Sequence, residues 1–261
     1  MKKIWIPALA LAIVAFAVAV TRTSAATKVK TDKDVVSDVL ATLASSDVNA
    51  LPALNSPSFT LPKAGVDVMR VRMEEAYTID GVGTDTVELR GWIATKHSNP
   101  YPVSGNTVVK WGTAQIDTEF VGLQLEGQSK IFGPVKVRLN SSERSIGSVG
   151  ALPIPEIKGK EAMFLAKSNS SADPSSLATC AANINVEVSM PQIDMNMKTQ
   201  QAVRMFSMVE NIPPTGQTAS ISLTPTKLVS GDRVVGTLNR AEVKFREIVL
   251  RSDLKGDEPI R

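Results

Sequence analysis

Two carboxylates with strand spacing are the first residues in this sequence that could do chemistry. Asp117 and Glu119 stand two positions apart in an alternating apolar–polar segment, so on a β-strand both side chains lie on one face. Glycoside hydrolysis requires only two carboxyl groups, one of which needs an apolar environment that raises its pKa. The same spacing is typical of a solvated sheet face, and we favour that interpretation. A carboxylate-dependent hydrolase on a β-sandwich is therefore an alternative hypothesis.

A methionine cluster is the second candidate. Five of the nine methionines lie within residues 190–208, namely Met190, Met195, Met197, Met205 and Met208. Thioether sulfur suits Cu(I), so a Met-rich Cu(I)-binding protein is a second alternative. Methionine also fills irregular cores, and Met195 and Met197 share a strand face with Ile193. We expect core packing, in a hairpin of residues 184–190 and 193–197 across Pro191–Gln192.

Histidine and cysteine chemistry is limited by residue counts. His97 is the only histidine and lies in the turn-like stretch Thr95–Pro100, so we expect it to be a solvated loop residue. Cys180 is the only cysteine, which excludes an internal disulfide, and we expect it to be a small buried hydrophobe. A zinc site built from several His or Cys ligands is excluded by the same counts.

The remaining motifs also lack a reaction centre. The segment Asp80–Asp85 offers two carboxylates and two glycines but lacks the EF-hand spacing, so we expect a loop between strands with glycines at positive φ. Walker A, dinucleotide-binding and G-x-S-x-G motifs do not occur. We therefore assign no catalytic, cofactor-binding or metal-binding residue, expect no cofactor, and predict that the protein is not an enzyme.

The N-terminus predicts export. Lys2 and Lys3 precede an apolar run over residues 4–20, and small residues follow at Thr23–Ala26. This arrangement is typical of a signal peptide covering residues 1–26, with an uncleaved anchor as the alternative. Of the 29 basic side chains three lie in this segment, which leaves the mature chain formally neutral against 26 acidic ones. We expect a periplasmic or extracellular protein with no nucleic-acid partner, and with a membrane contact only if the segment is retained.

One short helix is predicted ahead of the strands. Val35, Val36, Val39, Leu40 and Leu43 recur at helical spacing, and Thr31, Asp32 and Asp34 precede them as possible caps. The following residues, up to 64, contain Pro52, Pro57 and Pro62 and predict a connector. Residues 27–64 are therefore predicted to form a short helix and a proline-containing connector.

From Val66 onward the apolar residues follow a period of two. Val186, Val188 and Met190 alternate with polar neighbours, which is typical of antiparallel strands with one buried face. The buried parity switches near Val121–Gly122 and again between Phe245 and Ile248, so we expect bulges or bends there. These patterns predict an all-β fold, an antiparallel β-sandwich preceded by one helix.

The β-rich part is interrupted once. Residues 141–179 contain prolines and a polar run and predict a loop or linker between β modules at 65–140 and 180–252. The segment Val103–Val109 resembles Val229–Val235, so one large module and two related tandem modules both remain possible. Residues 253–261 are predicted to form a flexible tail.

The leading hypothesis is an exported, non-catalytic binding or structural module of the cell envelope or the extracellular space. Its ligand would be a protein or a carbohydrate. Trp92, Tyr101 and Trp111 lie near predicted turns and are candidate contacts, although we favour burial for the two tryptophans.

Overall fold

The computed structural model describes residues 30–54, 61–102, 114–150, 178–209, 214–216, 218–222 and 224–260. Within these ranges the protein is mostly antiparallel β-sheet with one α-helix near the N-terminus, which confirms the predicted all-β class. The described residues contain no helix with the length and apolar character needed to cross a membrane. The predicted signal peptide at 1–26 and Trp111 lie outside the described residues.

Helix α1 spans Asp32–Ser45, as the apolar spacing predicts. Thr31 caps it: its hydroxyl accepts a hydrogen bond from the Asp34 backbone N–H at 3.2 Å, and the Asp34 carboxylate accepts one from the Thr31 N–H at 2.9 Å. Such a reciprocal cap contributes about 1 kcal/mol to helix stability. Val39 and Leu43 form the buried side of the helix, in a cluster with the sheet residues Val66, Val68, Ala94 and Val249.

Thirteen strands make up the described part of the sheet. They are β1 (Gly65–Ile79), β2 (Gly83–His97), β3 (Tyr101–Pro102), β4 (Ala114–Ser129), β5 (Gly133–Leu139), β6 (Ser145–Gly150), β7 (Ala178–Ile184), β8 (Val186–Met190), β9 (Met195–Thr199), β10 (Val203–Val209), β11 (Thr218–Ser222), β12 (Thr226–Ser230) and β13 (Arg233–Asp253).

Eight of these strands form a closed ring in which every pairing is antiparallel. β1 pairs with β2 and β13, β2 pairs with β4, and β13 pairs with β12. β12 continues through β9 and β8 to β5, and pairing of β5 with β4 closes the ring. The inward-facing side chains form one core, which includes the fully buried Tyr77, Leu89, Leu125, Phe132, Met190 and Leu228.

Strand β4 changes partner halfway along its length. Its first half, Gln115–Phe120, pairs with β6, and its second half, Gln124–Ser129, pairs with β5. Between them the register with β2 shifts so that Val121 has no partner. This bulge confirms the predicted parity switch. Through β6, the first half of β4 leads to β7 and then β10, a branch outside the ring.

The predicted switch in β13 is also confirmed. Opposite β1, Phe245 pairs with Val71, Ile248 with Met69 and Leu250 with Val68, so the register shifts twice. Ile248 then contributes to the ring core, whereas Leu250 packs in the cluster beneath α1. One strand can therefore serve both apolar surfaces because the bulges change which side chains face inward.

The linker prediction differs from the structure at one strand. Residues 145–150, inside the predicted loop at 141–179, form β6 between β4 and β7. Their sequence is rich in glycine and serine and lacks apolar alternation, so the strand depends on hydrogen bonding to its two neighbours. Residues 151–177 lie outside the described residues. Strands from 65–140 and 180–252 also pair with each other, as β1 with β13 and β5 with β8, within one sheet.

The segment after β13 has contacts that a flexible tail would lack. The Leu254 N–H donates to the Ala64 carbonyl at 3.0 Å, and the Lys255 N–H donates to Oδ1 of Asp32 at 3.0 Å. Ile260 is 3% exposed, and its carbonyl accepts a hydrogen bond from Arg144 Nη2 at 2.6 Å. The prediction of a flexible tail at 253–261 is therefore corrected at Leu254, Lys255 and Ile260, whose hydrogen-bond partners lie far away in the sequence.

Candidate functional site

Asp117 is held in place by hydrogen bonds from neighbouring elements. Tyr101 on β3 donates its hydroxyl to Asp117 Oδ1 at 2.5 Å, and Gln115 Nε2 donates to the Tyr101 hydroxyl oxygen at 2.9 Å. The Asp117 backbone N–H donates to Ser98 Oγ at 3.0 Å. Asp117, a candidate carboxylate, and Tyr101, a candidate aromatic contact, thus lie in direct contact. Their mutual bonds fix the direction of the carboxylate before any ligand arrives.

The Asp117 side chain lines a groove on the outer face of β4, β6, β7 and β10. The cavity has a volume of about 280 Å³, and its lining includes Gln115, Asp117, Ser148, Ala181, Asn183 and Arg204. We call it the carboxylate groove. Register explains its depth, because small Ser148 and Ala181 stand between Asp117 and Phe206 in one cross-strand row. The guanidinium of Arg204 lies 5.3 Å from the centre of the Phe206 ring.

Gly147 is required by the close approach of two strands beneath this groove. A Cβ at Gly147 would lie 2.3 Å from the Ala181 carbonyl oxygen and 2.9 Å from Thr118 Oγ1. Real side chains do not approach a backbone oxygen so closely, so only glycine fits at this position in β6. The close pairing of β6 with its neighbours at the carboxylate groove therefore requires glycine at position 147.

Glu119 shares the outer face of β4 with Asp117 but has a different partner. Arg144 Nε lies 2.9 Å from Glu119 Oε1, and the same guanidinium holds the carbonyl of Ile260. The pair predicted from spacing is thus on one face, as expected. Its two members are engaged separately, Asp117 by a phenol and an amide and Glu119 by a cation that also anchors the C-terminal segment.

Sequence reasoning missed the carboxyl group of Glu75, which lies in the ring core. Glu75 is 3% exposed, and Tyr77 donates its hydroxyl to the Glu75 carboxylate. Burial raises the pKa of Glu75 to about 7, against the opposing effect of the bond from Tyr77. The signal was present, since Glu75 falls on the buried parity of β1 between Met73 and Tyr77. A small cavity of about 20 Å³ adjoins it among apolar side chains.

The prediction that His97 is a solvated loop residue is wrong. His97 ends β2, is 5% exposed, and its Nε2 lies 3.3 Å from Oδ2 of the buried Asp67. Arg251 Nε binds the other oxygen of Asp67 at 2.6 Å. Burial acts to raise the pKa of Asp67, but its contacts with His97 and Arg251 outweigh burial and lower it. The turn-like local sequence could not show this, because the partners come from β1 and β13.

The methionines pack as the core interpretation predicts, with one correction. β8 and β9 form the expected hairpin, with Met190 opposite Met195 and Val188 opposite Met197. Met190 is fully buried, Met197 and Met205 are buried in the ring core, and Met195 is partly buried against it. Ile193 lies in a 3-10 turn at Pro191–Ile193 rather than in a strand, because Pro191 opens the turn. The side chain of Met208 lies outside the described residues.

Cys180 and Trp92 both pack against apolar side chains. Cys180 packs with Ile116, Val149 and Val209, and burial raises the pKa of its thiol to about 12, as expected for a small hydrophobe. Trp92 is partly buried and packs in the cluster beneath α1.

The segment Asp80–Asp85 contains the turn between β1 and β2, with Gly81 at φ 74° and Gly83 at φ 143°. Asp85 accepts bonds from Ser129 Oγ at 2.6 Å and from the Lys130 N–H at 2.9 Å, which joins this turn to the next hairpin. Among the described residues no cluster of His, Cys, Asp and Glu has the arrangement of a metal site.

Comparison with known proteins identifies a family and a fold. The chain belongs to the family described as "Family of unknown function (DUF6073)", whose model matches residues 23–227. It is similar to the solved structure of DynF from the dynemicin biosynthesis pathway of Micromonospora chersina, with 19% identity, a TM-score of 0.60, and coverage of 77% of this chain and 87% of that chain. At this identity the likeness shows a shared fold and nothing further. No curated protein matches the chain.

Proposed function

We propose that this member of the DUF6073 family is an exported, non-catalytic binding module of the cell envelope or the extracellular space, and that its ligand is a carbohydrate bound in the carboxylate groove. The observation that carries the proposal is the fixed orientation of Asp117. Tyr101 and Gln115 hold its carboxylate at the edge of an open groove of about 280 Å³.

The chemistry of the groove favours a hydroxyl-rich ligand. Asp117 accepts hydrogen bonds, while Gln115 and Asn183 carry amides that can both donate and accept. Hydrogen bonds from sugar hydroxyls to a carboxylate are stronger than bonds to neutral acceptors. Ile146, which is 40% exposed, adds apolar surface for the less polar face of a sugar ring. A few fixed polar groups on a mostly preformed surface are typical of small-ligand sites.

Binding is tested by titrating the mature protein with neutral oligosaccharides, using NMR and calorimetry. Asp117→Asn and Tyr101→Phe should each weaken binding by about tenfold, because one removes the charged acceptor and the other frees its direction. Asp232→Asn is the matched control, since Asp232 is an exposed carboxylate in the β12–β13 turn. Equal affinity in the Asp117 variant and the parent would refute the proposed site.

A carboxylate-dependent hydrolase remains the alternative, supported by the position of Asp117 and Glu119, both partly exposed, on one face of β4. Incubation of the parent with bound oligosaccharides, followed by mass spectrometry of the products, separates the two functions. The binding module should release intact ligand. Cleavage that disappears in Asp117→Asn and persists in Asp232→Asn would establish the hydrolase instead.

Export has its own test. N-terminal sequencing of protein collected outside the cytoplasm should give a mature chain that begins at Ala26 or Thr27, since cleavage is predicted between Ala25 and Thr27. A chain that still begins at Met1 would support the uncleaved anchor.

A further inference from the structure

A second open groove lies on the outer face of β5, β8, β9 and β12. Its volume is about 460 Å³, and its lining includes Lys136, Arg138, Glu187, Asn196, Lys198 and Val229. We call it the basic groove. It uses ring strands, whereas the carboxylate groove uses β4 and the branch strands, so the two sites share no lining residue.

The charged side chains of the basic groove are ordered by strand register. Arg138 pairs with Glu187, Glu187 with Lys198, and Lys198 with Val229, so these residues form one row across four strands. Arg138 and Lys198 are two strand spacings apart, roughly 10 Å. Lys136 stands two positions before Arg138 on β5, roughly 7 Å along the strand.

The cations of this row are not neutralised by partners of their own. Among the described residues, no ion pair involves Arg138, Glu187 or Lys198, whereas Lys136 is paired with Glu126 at 3.6 Å. Arg138 and Lys198 therefore face the one carboxylate in the lining, that of Glu187, without an ion-pair partner among the described residues. This imbalance is local, because the predicted mature chain is formally neutral.

We infer that the basic groove binds an oligosaccharide that carries carboxylate or sulfate groups. The separation of its cations suits several anionic groups on one extended ligand rather than a single phosphate. Between the charges, Ser189 and Asn196 offer hydrogen-bonding groups for hydroxyls. Glu187 in the middle of the row opposes the uninterrupted negative charge of a nucleic acid backbone, whereas a sugar acid can place neutral hydroxyls there.

Calorimetric titration of the mature protein with trigalacturonate and with a sulfated tetrasaccharide tests the inference. Replacing both Arg138 and Lys198 with Gln should weaken binding of the charged probes by at least about tenfold, since two charge-assisted contacts are lost. Lys33→Gln combined with Arg246→Gln is the matched control, because it removes the same charges from exposed positions elsewhere. Glu187→Gln should tighten binding by removing the opposing charge.

The two grooves can fail separately in this experiment. A neutral oligosaccharide that binds the carboxylate groove should have unchanged affinity in the Arg138/Lys198 variant, and the charged probes should be insensitive to Asp117→Asn. Thermal melts confirm that the exposed substitutions leave the protein folded. Failure of the parent to bind either charged probe would overturn the inference, as would equal weakening in the control pair or no gain in Glu187→Gln.

Discussion

The carboxylate groove and the basic groove both lie on antiparallel strands, but they differ in whether their charged side chains are fixed by hydrogen bonds. Both are outer faces of antiparallel strands. In the carboxylate groove, Asp117 is bound by Tyr101 and Gln115, and small residues give the floor its depth. The lining of the basic groove includes the long side chains of Arg138 and Lys198, and the row from Arg138 to Lys198 contains no ion pair among the described residues.

This difference predicts two kinds of recognition. A carboxylate fixed by hydrogen bonds loses little freedom when a ligand binds, so its contacts can be directional. Cations on long, mobile side chains lose more freedom, and their attraction falls as salt increases. The carboxylate groove should therefore select by geometry and the basic groove by charge. The following predictions test this contrast, beginning with two buried residues of the core, Met197 and Glu75.

Met197 supports the basic groove from the inner side of β9. Its side chain is 3% exposed, while the adjacent Asn196 and Lys198 line the groove outside. Met197→Ala should lower the free energy of unfolding by about 2–5 kcal/mol by opening a cavity. Met197→Leu should cost less than about 1.5 kcal/mol because it keeps the volume. Thermal and denaturant unfolding of both variants, with and without Cu(I), measures these changes in stability. If Cu(I) stabilises the parent but not Met197→Leu, the copper hypothesis is restored.

Glu75 in the shared core should make stability depend on pH. Its pKa is about 7 in the folded protein against 4.5 ordinarily, so the folded state keeps a proton that the unfolded chain releases. Stability should therefore fall as pH rises from about 4.5 to 7, by about 3 kcal/mol in total. Glu75→Gln should remove this fall and be more stable than the parent at pH 8.

Urea unfolding at pH 4.5, 6 and 8 checks this expectation. Glu74→Gln is the matched control, because Glu74 is the exposed neighbour on the same strand. If Glu75→Gln and the parent lose stability in parallel with rising pH, the buried carboxyl is not the group that titrates.

Substitution of the glycine in each groove should change the free energy of unfolding by different amounts and for different reasons. Gly147→Ala brings a Cβ against the Ala181 carbonyl and should cost about 1–3 kcal/mol, and it should also weaken binding in the carboxylate groove. Gly231 in the basic groove has open space but φ 60°, so the left-handed backbone alone opposes a side chain. Gly231→Asn should be nearly neutral, because asparagine tolerates that conformation.

Denaturation midpoints of the two glycine variants provide the measurement. Gly147→Asn should be at least as harmful as Gly147→Ala, since its obstacle is space rather than φ. A similar cost for asparagine at both positions would contradict the steric explanation of the carboxylate groove.

Salt concentration should change ligand affinity in the two grooves differently, and this is the smallest of the predicted effects. Raising NaCl from about 0.02 M to 0.3 M shortens the screening length several-fold and should weaken charged probes in the basic groove by about tenfold. Binding of neutral oligosaccharides in the carboxylate groove should change by less than about twofold. Parallel titrations at the two salt concentrations decide, and equal salt sensitivity at both sites would remove the proposed contrast.

Local patterns in the sequence were sufficient for much of the fold. The capping residues and apolar spacing placed α1, and the alternation in β8 and β9 predicted their hairpin. The parity switch at Val121–Gly122 located the bulge in β4. These features depend on a few neighbouring residues, since helix period, strand period and turn chemistry are all set within one or two turns of the chain.

The candidate sites depended on tertiary structure. Asp117 was visible in the sequence, but its phenol partner comes from β3, and the small residues beside it come from β6 and β7. The charged row of the basic groove exists only because β5, β8, β9 and β12 pair in a particular register.

His97 shows the same limit most clearly. Its local sequence predicts a turn, yet it ends β2 beside Asp67, whose other partner, Arg251, is 184 residues further along the chain. Sequence by itself determined the helix and the strands with clear apolar alternation, because those follow from side-chain period. Tertiary structure alone decided which polar residues meet, because strand pairing and register bring together residues that have no relation in sequence.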